Sequence, residues 1–107
     1  MSLVLTIDVG STNMKGLVIN TEGKVVDRQV REITLYLEDM FAGHESRELL
    51  ESFTFMLKYF GKKFGKDIEA ISTTTYNHSM LLVNHKGEPL TKVITHHDRR
   101  AAEVEQE

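Results

Sequence analysis

The sequence predicts an α/β fold made of an antiparallel β-meander, a covering helix and further strands. Three apolar segments near the N-terminus are separated by short polar turns, which is typical of consecutive antiparallel strands. An apolar stripe at helical spacing follows them, and a segment rich in β-branched residues comes next. The chain has 107 residues, which corresponds to one domain and is too short for two lobes with a catalytic cleft between them.

The composition is that of an ordinary globular domain, with 40% hydrophobic and 27% charged residues. Its formal net charge of −3 argues against a nucleic-acid partner, and no apolar run approaches the roughly 20 residues that a membrane span needs. The absence of cysteine excludes disulfides, thiolate metal sites and a thiol nucleophile. No signal peptide is visible at the N-terminus, so we expect a cytoplasmic protein with neither a nucleic-acid nor a membrane partner.

The predicted meander follows from where the apolar segments stop. Residues 4–7 form a nearly continuous apolar run, and turn-forming residues 10–13 come soon after it. The second and third strands are predicted at residues 14–19 and 24–30, with a turn at residues 20–23 between them. Both turns are short, whereas parallel neighbours would need a crossover of about a dozen residues or more. The strands are therefore expected to pair antiparallel.

A helix is predicted from one apolar stripe, whose members lie three, four and seven residues apart. The members of the stripe are Leu49, Phe53, Met56, Leu57, Phe60 and Phe64. Gly61, Gly65 and several lysines mark the end of this helix, where cations interact favourably with the helix dipole. Residues 31–44, which precede the helix, show no sustained period, so we predict a long and partly ordered connection there.

Further elements are predicted after the helix. Residues 68–75, 79–83 and 91–95 have the pattern of strands, with a turn at residues 84–87 between the last two. From Asp98 onward the pattern is helical, and no stop signal precedes the last residue. We therefore expect that the chain is a partial domain, cut within a helix.

The strongest candidate for chemistry is the segment that joins the first two strands. Asp8 ends the first strand, Gly10, Ser11 and Thr12 form the turn, and Lys15 begins the returning strand. Gly10 lacks a Cβ and tolerates positive φ, so the backbone can approach a ligand closely. The hydroxyls and backbone N–H groups of the turn suit an anion, and Lys15 adds a point charge for phosphate. Asp8 supplies a hard oxygen ligand for Mg²⁺ beside that phosphate.

The same segment has a second interpretation, a hairpin turn with a solvated pair formed by Asp8 and Lys15. It is not a Walker A loop, because Lys15 follows Met14 instead of a glycine and precedes Gly16. The chain contains no G-x-G-x-x-G motif either. From this segment alone, phosphate binding and a purely structural turn both remain open.

A second candidate lies at residues 73–79, where a β-rich segment gives way to a new strand. Tyr76, Asn77 and His78 offer an aromatic face together with several hydrogen-bond donors and acceptors. Loops at strand ends are common ligand sites, and this set of groups suits a polyhydroxylated substrate. The alternative is a structural turn in which the histidine is satisfied by its neighbours.

The third candidate is the segment His96-His97-Asp98-Arg99-Arg100. A metal site is a poor match, because adjacent histidines on a strand point to opposite faces. Asp98 is a good N-cap for the predicted helix. Two arginines in a first helical turn oppose the dipole, and local rules broken in this way often mark a functional site. The alternative is that both arginines pair with acids on a neighbouring element.

Taken in order, these segments resemble the N-terminal part of the FGGY carbohydrate kinases. The family's Asp-x-Gly-Thr-Thr-x-x-Lys or Arg pattern is matched by residues 8–15, and its Gly-x-Pro-Leu turn by residues 87–90. The Gln-Met-His-Gly or Ser loop of xylulose and gluconate kinases is similar to residues 76–79, where Tyr-Asn replaces Gln-Met. The Trp-x-Asp-x-Arg motif is similar to residues 96–100, where His96 replaces Trp. The resemblance covers nearly all of residues 1–107, as a partial N-terminal kinase domain.

The resemblance implies a ribonuclease H-like fold of the actin and hexokinase ATPase type. It implies ATP-dependent phosphoryl transfer, with Mg²⁺, to a hydroxyl of a small-molecule sugar or sugar acid that is xylulose- or gluconate-like. In that scheme Asp8 positions the metal, while Gly10, Ser11, Thr12 and Lys15 bind the phosphate of ATP. His78 and Asp98 hold the sugar, and the weaker candidates for sugar binding are Tyr76, Asn77 and Arg99.

The resemblance also implies that the catalytic base lies beyond Glu107, so we expect no catalytic residue and no turnover in this chain alone. A homodimer of the intact protein is a further expectation. The competing hypothesis is a non-catalytic, actin-like binding or regulatory domain. The departures at Tyr76, Asn77 and His96 favour that hypothesis, and the unfinished C-terminal helix argues against it.

Overall fold

The computed structural model describes residues 1–101, which form two β-sheets and one helix. The elements are β1 (Leu3–Val9), β2 (Asn13–Asn20), β3 (Val25–Glu32), β4 (Tyr36–Glu38), β5 (Phe41–His44), α1 (Ser46–Phe64), β6 (Ile68–Thr75) and β7 (Val93–Ile94). The larger sheet has the strand order β3-β2-β1-β6, and the smaller sheet has the order β4-β5-β7. Among the described residues, no helix has the length and apolar character needed to cross a membrane.

The predicted antiparallel meander is confirmed. β1 pairs antiparallel with β2, which places Leu5 opposite Val18, and β2 pairs antiparallel with β3. β6 then joins the other edge of β1 in the parallel direction, so α1 is the crossover that returns the chain to the sheet. This pairing places Thr74 of β6 beside Asp8 of β1.

The core lies between α1 and one face of the larger sheet. Side chains alternate along β1, so Leu3, Leu5 and Ile7 point to the helix and are at most 1% exposed. From α1, Met56 and Phe60 pack against them and are fully buried. Leu49, Phe53 and Phe64 of the predicted stripe also pack against this core, whereas Leu57 was wrongly included in the stripe and is 36% exposed.

We predicted a long and partly ordered connection at residues 31–44. This prediction is wrong for most of the segment, because it contains β4 and β5. The two strands form a tight antiparallel hairpin in which Asp39 has a φ of +52°. Ile33, just before them, is buried in the core, and its N–H donates to the Thr12 carbonyl at 2.8 Å. The strands are only three and four residues long, too short for a periodic pattern to be recognised.

The strand predicted at residues 79–83 is also wrong, and the one at residues 91–95 is reduced to β7. In place of a ladder, this hairpin has isolated bridges, one of them between Val83 and Pro89. The physical reason is local. Pro89 has no N–H to donate, and the N–H of Leu82 bonds to the hydroxyl of Thr91 at 3.1 Å instead of to a strand partner.

Two hairpin turns of the chain use the same asparagine and glycine arrangement. The side chain of Asn20 accepts hydrogen bonds from two backbone N–H groups, and Gly23 follows with a φ of +80°. Asn84 accepts the equivalent pair of bonds, and Gly87 has a φ of +81°. Only glycine adopts this left-handed conformation without strain, so each turn is defined by its own sequence.

The helix predicted from Asp98 falls mostly on residues 102–107, which lie outside the described residues. Residues 98–101 are not helical. The side chain of Asp98 nevertheless accepts the N–H of Arg100 at 3.0 Å, as the carboxylate of an N-cap would.

Candidate functional site

The turn between β1 and β2 is held by a short backbone contact. The N–H of Gly10 donates to the carbonyl of Asn13 at 2.9 Å. A Cβ at Gly10 would lie 2.7 Å from that same oxygen, so only glycine fits here. The expected positive φ is not the reason, because the positive-φ glycines within residues 1–101 are Gly23 and Gly87. Close approach of the chain to itself is what requires glycine at position 10.

Asp8 and Lys15 lie directly opposite each other at the end of this hairpin. Both belong to the face of the sheet that points away from α1, and both are exposed. Within residues 1–101, neither side chain has a hydrogen bond or an ion pair, so the two charges do not neutralise each other by direct contact. A carboxylate and an ammonium group are thus both accessible beside the Gly10–Thr12 turn.

The residues at this turn could hold a magnesium ion only together with a bound phosphate. Mg²⁺ is commonly held by one or two carboxylates, several waters and the phosphates of a substrate. Asp8 provides one carboxylate, and no group of three acidic or histidine side chains capable of holding a metal occurs in the part of the chain that the structure describes. The arrangement suits a Mg²⁺ shared with a bound phosphate and does not suit a site built from protein ligands alone.

The loop after β6 begins next to the Gly10–Thr12 turn. The N–H of Tyr76 donates to the carbonyl of Val9 at 3.1 Å, which extends the pairing of β6 with β1 by one bond. Asn77 and His78 follow and are exposed. His78 has a φ of +59°, a conformation that is uncommon for residues other than glycine and that often accompanies functional loops.

A fully buried histidine, which the sequence did not single out, joins these two segments. His44, the last residue of β5, is 0% exposed. Its Nε2 lies 2.7 Å from the carbonyl oxygen of Ser11, and its Nδ1 lies 2.7 Å from the hydroxyl oxygen of Tyr76. The rings of His44 and Tyr76 are 5.2 Å apart and tilted by 53°. Desolvation by burial raises the pKa of the Tyr76 hydroxyl, so it stays protonated.

Asp98 is attached to the same strand. One oxygen of its carboxylate accepts the N–H of Ala42 at 3.1 Å, and both oxygens accept the Nε of Arg100, at 2.9 and 3.1 Å. Burial opposes ionisation of this carboxyl, but the hydrogen bonds from Arg100 and from Ala42 outweigh it and lower the pKa of Asp98. The side chain of Asp98 is 9% exposed, so most of its hydrogen-bonding capacity is used inside the protein.

The two arginines beside Asp98 differ in their surroundings. The guanidinium of Arg100 pairs with Asp98 and lies 4.8 Å from the ring of Phe41. Arg99 contributes its backbone N–H to the carbonyl of Met40 at 2.7 Å, and its exposed side chain has no hydrogen bond within residues 1–101. Of the two arginines, Arg100 therefore packs its side chain against the fold, whereas the side chain of Arg99 does not.

The neighbouring histidines do not form the arrangement expected of a strand. Their rings lie 3.9 Å apart and are tilted by 40°, and both residues are exposed. His96 and His97 belong to the turn after β7 and not to the strand itself. The opposite-face geometry expected for a strand therefore does not apply to His96 and His97, and no metal-binding group includes them in the described part of the chain.

The structure thus brings the three candidate segments into contact with β5, but several of the predicted site residues take no part in these contacts. The Gly10–Thr12 turn and Tyr76 meet at His44, and Asp98 is bonded to Ala42 two residues earlier on β5. The side chains of Asn77, His78 and Arg99 make no hydrogen bond to these groups. His44 carries no motif signal, and only its burial in the folded chain reveals it.

The fold and this site together define a class of protein, with an antiparallel meander, a parallel fourth strand, a crossover helix and a charged turn at the end of β1. This is the ribonuclease H-like fold of the actin and hexokinase ATPases. Residues 3–107 match the family model described as "FGGY family of carbohydrate kinases, N-terminal domain". The chain belongs to the FGGY family of carbohydrate kinases, so the expected family is confirmed.

Individual relatives agree with this assignment. A glycerol kinase of Trichodesmium erythraeum is 29% identical over 109 residues, covering 97% of this chain and 22% of the relative. A xylulose kinase structure from Lactobacillus acidophilus matches 99% of this chain and 22% of its own with a TM-score of 0.91 and 24% identity. A gluconate kinase structure from the same organism matches 98% of this chain and 22% of its own with a TM-score of 0.87 and 27% identity. The chain therefore spans about a fifth of these proteins.

Proposed function

We propose that residues 1–107 are a partial N-terminal domain of an ATP-dependent carbohydrate kinase. The intact protein transfers the γ-phosphate of ATP to a hydroxyl of a small sugar or sugar acid, of the xylulose or gluconate kind. We assign the reaction to the cytoplasm, and we expect the intact protein to form a homodimer. Membership of the FGGY family supports the reaction class. The relatives named above are described as kinases of three different substrates, so the identity of the acceptor is part of the proposal.

One observation carries the assignment of the phosphate site: Asp8 and Lys15 are opposite each other and exposed at the Gly10–Thr12 turn. A phosphoryl group seated at this turn would meet backbone N–H groups, the hydroxyls of Ser11 and Thr12 and the ammonium of Lys15. Charge neutralisation and positioning are the main contributions that a protein makes to phosphoryl transfer. When bound, Mg²⁺ adds further positive charge at the phosphates, and Asp8 is the residue that would hold it.

The acceptor side of the site is assigned to the loop after β6 and to Asp98. Tyr76, Asn77 and His78 follow β6 at the same end of the sheet as the phosphate turn, where the N–H of Tyr76 bonds to Val9. Asn77 and His78 are exposed and can hydrogen-bond sugar hydroxyls. Asp98 has little exposed surface, and the exposed side chain of Arg99 lies beside it, so the pair would contribute mainly through Arg99.

Lys15→Ala in the intact protein tests the phosphate site. Loss of the ammonium group should lower kcat by about 100-fold or more, because it removes a fixed positive charge where charge must be neutralised in the transition state. Production of ADP is followed with xylulose, gluconate and glycerol as acceptors. Lys24→Ala is the matched control, because Lys24 follows the turn at the other end of the β2–β3 hairpin and should leave kcat unchanged. An unchanged rate in Lys15→Ala would remove Lys15 from the site.

The competing hypothesis is tested with the same assay. A non-catalytic binding domain predicts that no acceptor supports ADP production by the intact protein, whereas a kinase predicts turnover with at least one sugar, sugar acid or polyol. We expect the purified 107-residue chain to be inactive under either hypothesis, because in the kinase scheme the family resemblance implies a catalytic base beyond Glu107. Sugar-dependent ADP production by this chain alone would refute the proposal that it is only part of the site.

A further inference from the structure

His44 is the buried polar group that the proposed phosphate and sugar sites leave unexplained. A histidine with no exposed surface must be satisfied by protein groups, since a buried polar group without a partner is costly. Both of its ring nitrogens are satisfied, and the two partners belong to the two different segments of the proposed site, Ser11 and Tyr76. The two hydrogen bonds of His44 therefore connect the Gly10–Thr12 turn to the loop after β6.

When the His44 ring is neutral, the chemistry of the partners fixes the direction of both hydrogen bonds. A carbonyl oxygen only accepts, so the bond to Ser11 requires a proton on Nε2. In the neutral ring Nδ1 is then an acceptor, and the hydroxyl of Tyr76 donates to it. The raised pKa of Tyr76, which results from desolvation, keeps that hydroxyl proton in place. The order of donors is therefore Tyr76 O–H to His44 Nδ1, and His44 Nε2–H to the carbonyl of Ser11.

We propose that His44 is a positioning residue that holds two segments in one fixed arrangement: the phosphate turn (residues 10–12) and the substrate loop (residues 76–78). The functional part of this inference rests on the proposed kinase function. The two hydrogen bonds of His44, which we call the His44 link, are present in the described chain whatever its function. His44 touches neither phosphate nor sugar in this scheme. It acts by fixing the Ser11 peptide, which is part of the phosphate turn, relative to Tyr76.

The link also limits how Tyr76 recognises a ligand. A tyrosine hydroxyl has one proton to donate and two acceptor lone pairs. Because the proton is directed to His44, Tyr76 can only accept a hydrogen bond from a bound molecule. An acceptor substrate would therefore present a hydroxyl proton to Tyr76, and a carboxylate or phosphate oxygen would not bind well at this position.

Nuclear magnetic resonance of the ¹⁵N-labelled 107-residue chain tests the link without any catalysis. Long-range ¹H–¹⁵N spectra should show a protonated Nε2 and an unprotonated Nδ1 for His44. Tyr76→Phe removes the hydroxyl and keeps the ring, so it should shift the Nδ1 resonance and also the backbone amide resonances of residues 10–12. Tyr36→Phe is the matched control, because Tyr36 is 40% exposed on β4 and its hydroxyl has no hydrogen bond within residues 1–101. It should leave residues 10–12 unchanged.

Two results would overturn the proposal: the opposite tautomer of His44, or unchanged amide resonances of residues 10–12 in Tyr76→Phe. Steady-state kinetics of the intact protein test whether the His44 link affects function. Loss of one neutral hydrogen bond should raise the KM for ATP in Tyr76→Phe by about two- to tenfold, although Tyr76 lies on the sugar side. A change confined to the sugar KM would assign Tyr76 to sugar binding alone and refute the coupling. If the intact protein had no kinase activity, the proposed function would fail while the resonance experiment still decided the link.

Discussion

Gly16 is the position where one added methyl group should have the clearest effect on stability. It lies on β2, and its partner across the strand pair is the buried Ile7. A Cβ built on Gly16 would lie 2.6 Å from a ring carbon of Phe60 and 3.0 Å from the sulfur of Met56. Both side chains are 0% exposed, so neither can withdraw into solvent without leaving the core. At Gly16, side chains of α1 therefore pack directly against the backbone of β2.

The expected cost follows from those distances. Carbon atoms in contact normally lie about 3.5–4.0 Å apart, so α1 or the Phe60 ring must move by about 1 Å to admit the methyl group. Overpacking of this kind costs about 1–3 kcal/mol. Replacing a strand glycine also reduces the entropy of the unfolded chain, which returns about 0.5–1 kcal/mol. The midpoints of these two ranges give a net loss in Gly16→Ala of about 1 kcal/mol, or a fall in Tm of about 4–8 °C for a domain of this size.

Urea unfolding followed by far-UV circular dichroism measures this loss, with Gly61→Ala as the matched control. Gly61 lies within α1, and a Cβ there would meet nothing within 4 Å, so alanine should stabilise the helix by about 0.5–1 kcal/mol. The same chemical change should thus have opposite signs at the two positions. Combining Gly16→Ala with Phe60→Leu should recover part of the loss, because the smaller side chain makes room. A Gly16→Ala chain as stable as the parent would refute the packing argument.

Two further predictions concern polar groups. A hydrogen bond from Lys63, followed by one from the Arg28 N–H, lowers the pKa of Asp27, so its contribution to stability is present above the ordinary carboxyl pKa of 3.8 and is lost as the pH falls through the lowered value. Asp27→Asn should flatten this part of the acid dependence of Tm, and an unchanged profile would contradict the pairing. Asn84→Ala should destabilise only the hairpin of residues 79–95, by about 1 kcal/mol, because it removes two bonds to backbone N–H groups. Hydrogen exchange should quicken in that hairpin and not in β1, and uniform quickening would count against a local role.

The parts of the fold that the sequence predicted correctly are those whose signals are local. The β1–β2 hairpin needs only two apolar runs and a short turn, so its register, and with it the opposition of Asp8 and Lys15, follows from neighbouring residues. The apolar stripe of α1 is equally self-contained. β6 was predicted at residues 68–75 from its β-branched residues, although its partner β1 is far away in sequence. β5 was missed because its four residues are too few for such a signal and because one of its partners is β7, about fifty residues further along the chain.

His44 was missed for a related reason. A single histidine after Phe41-Ala42-Gly43 has no pattern that separates a buried residue from an exposed one. Its role depends on the carbonyl of Ser11 and the hydroxyl of Tyr76, which are 33 and 32 residues away in sequence. Motif matching finds residues that contact ligands at fixed spacing, and it has no means of finding a residue that acts through two distant segments.

The small residues of β5 explain how one short strand can contact so many segments. Ala42 is fully buried: its N–H bonds to Asp98 and its carbonyl accepts the N–H of Thr95 at 3.0 Å. A Cβ at Gly43 would lie 2.5 Å from the carbonyl oxygen of Val93, so β7 can pair at this distance only with glycine. Asp98 follows the end of β7 by four residues, so its position depends in part on Ala42 and Gly43. The same strand ends in His44, so β5 contacts all three candidate segments, while the pairing of β6 with β1 also holds the loop after β6 beside the Gly10–Thr12 turn.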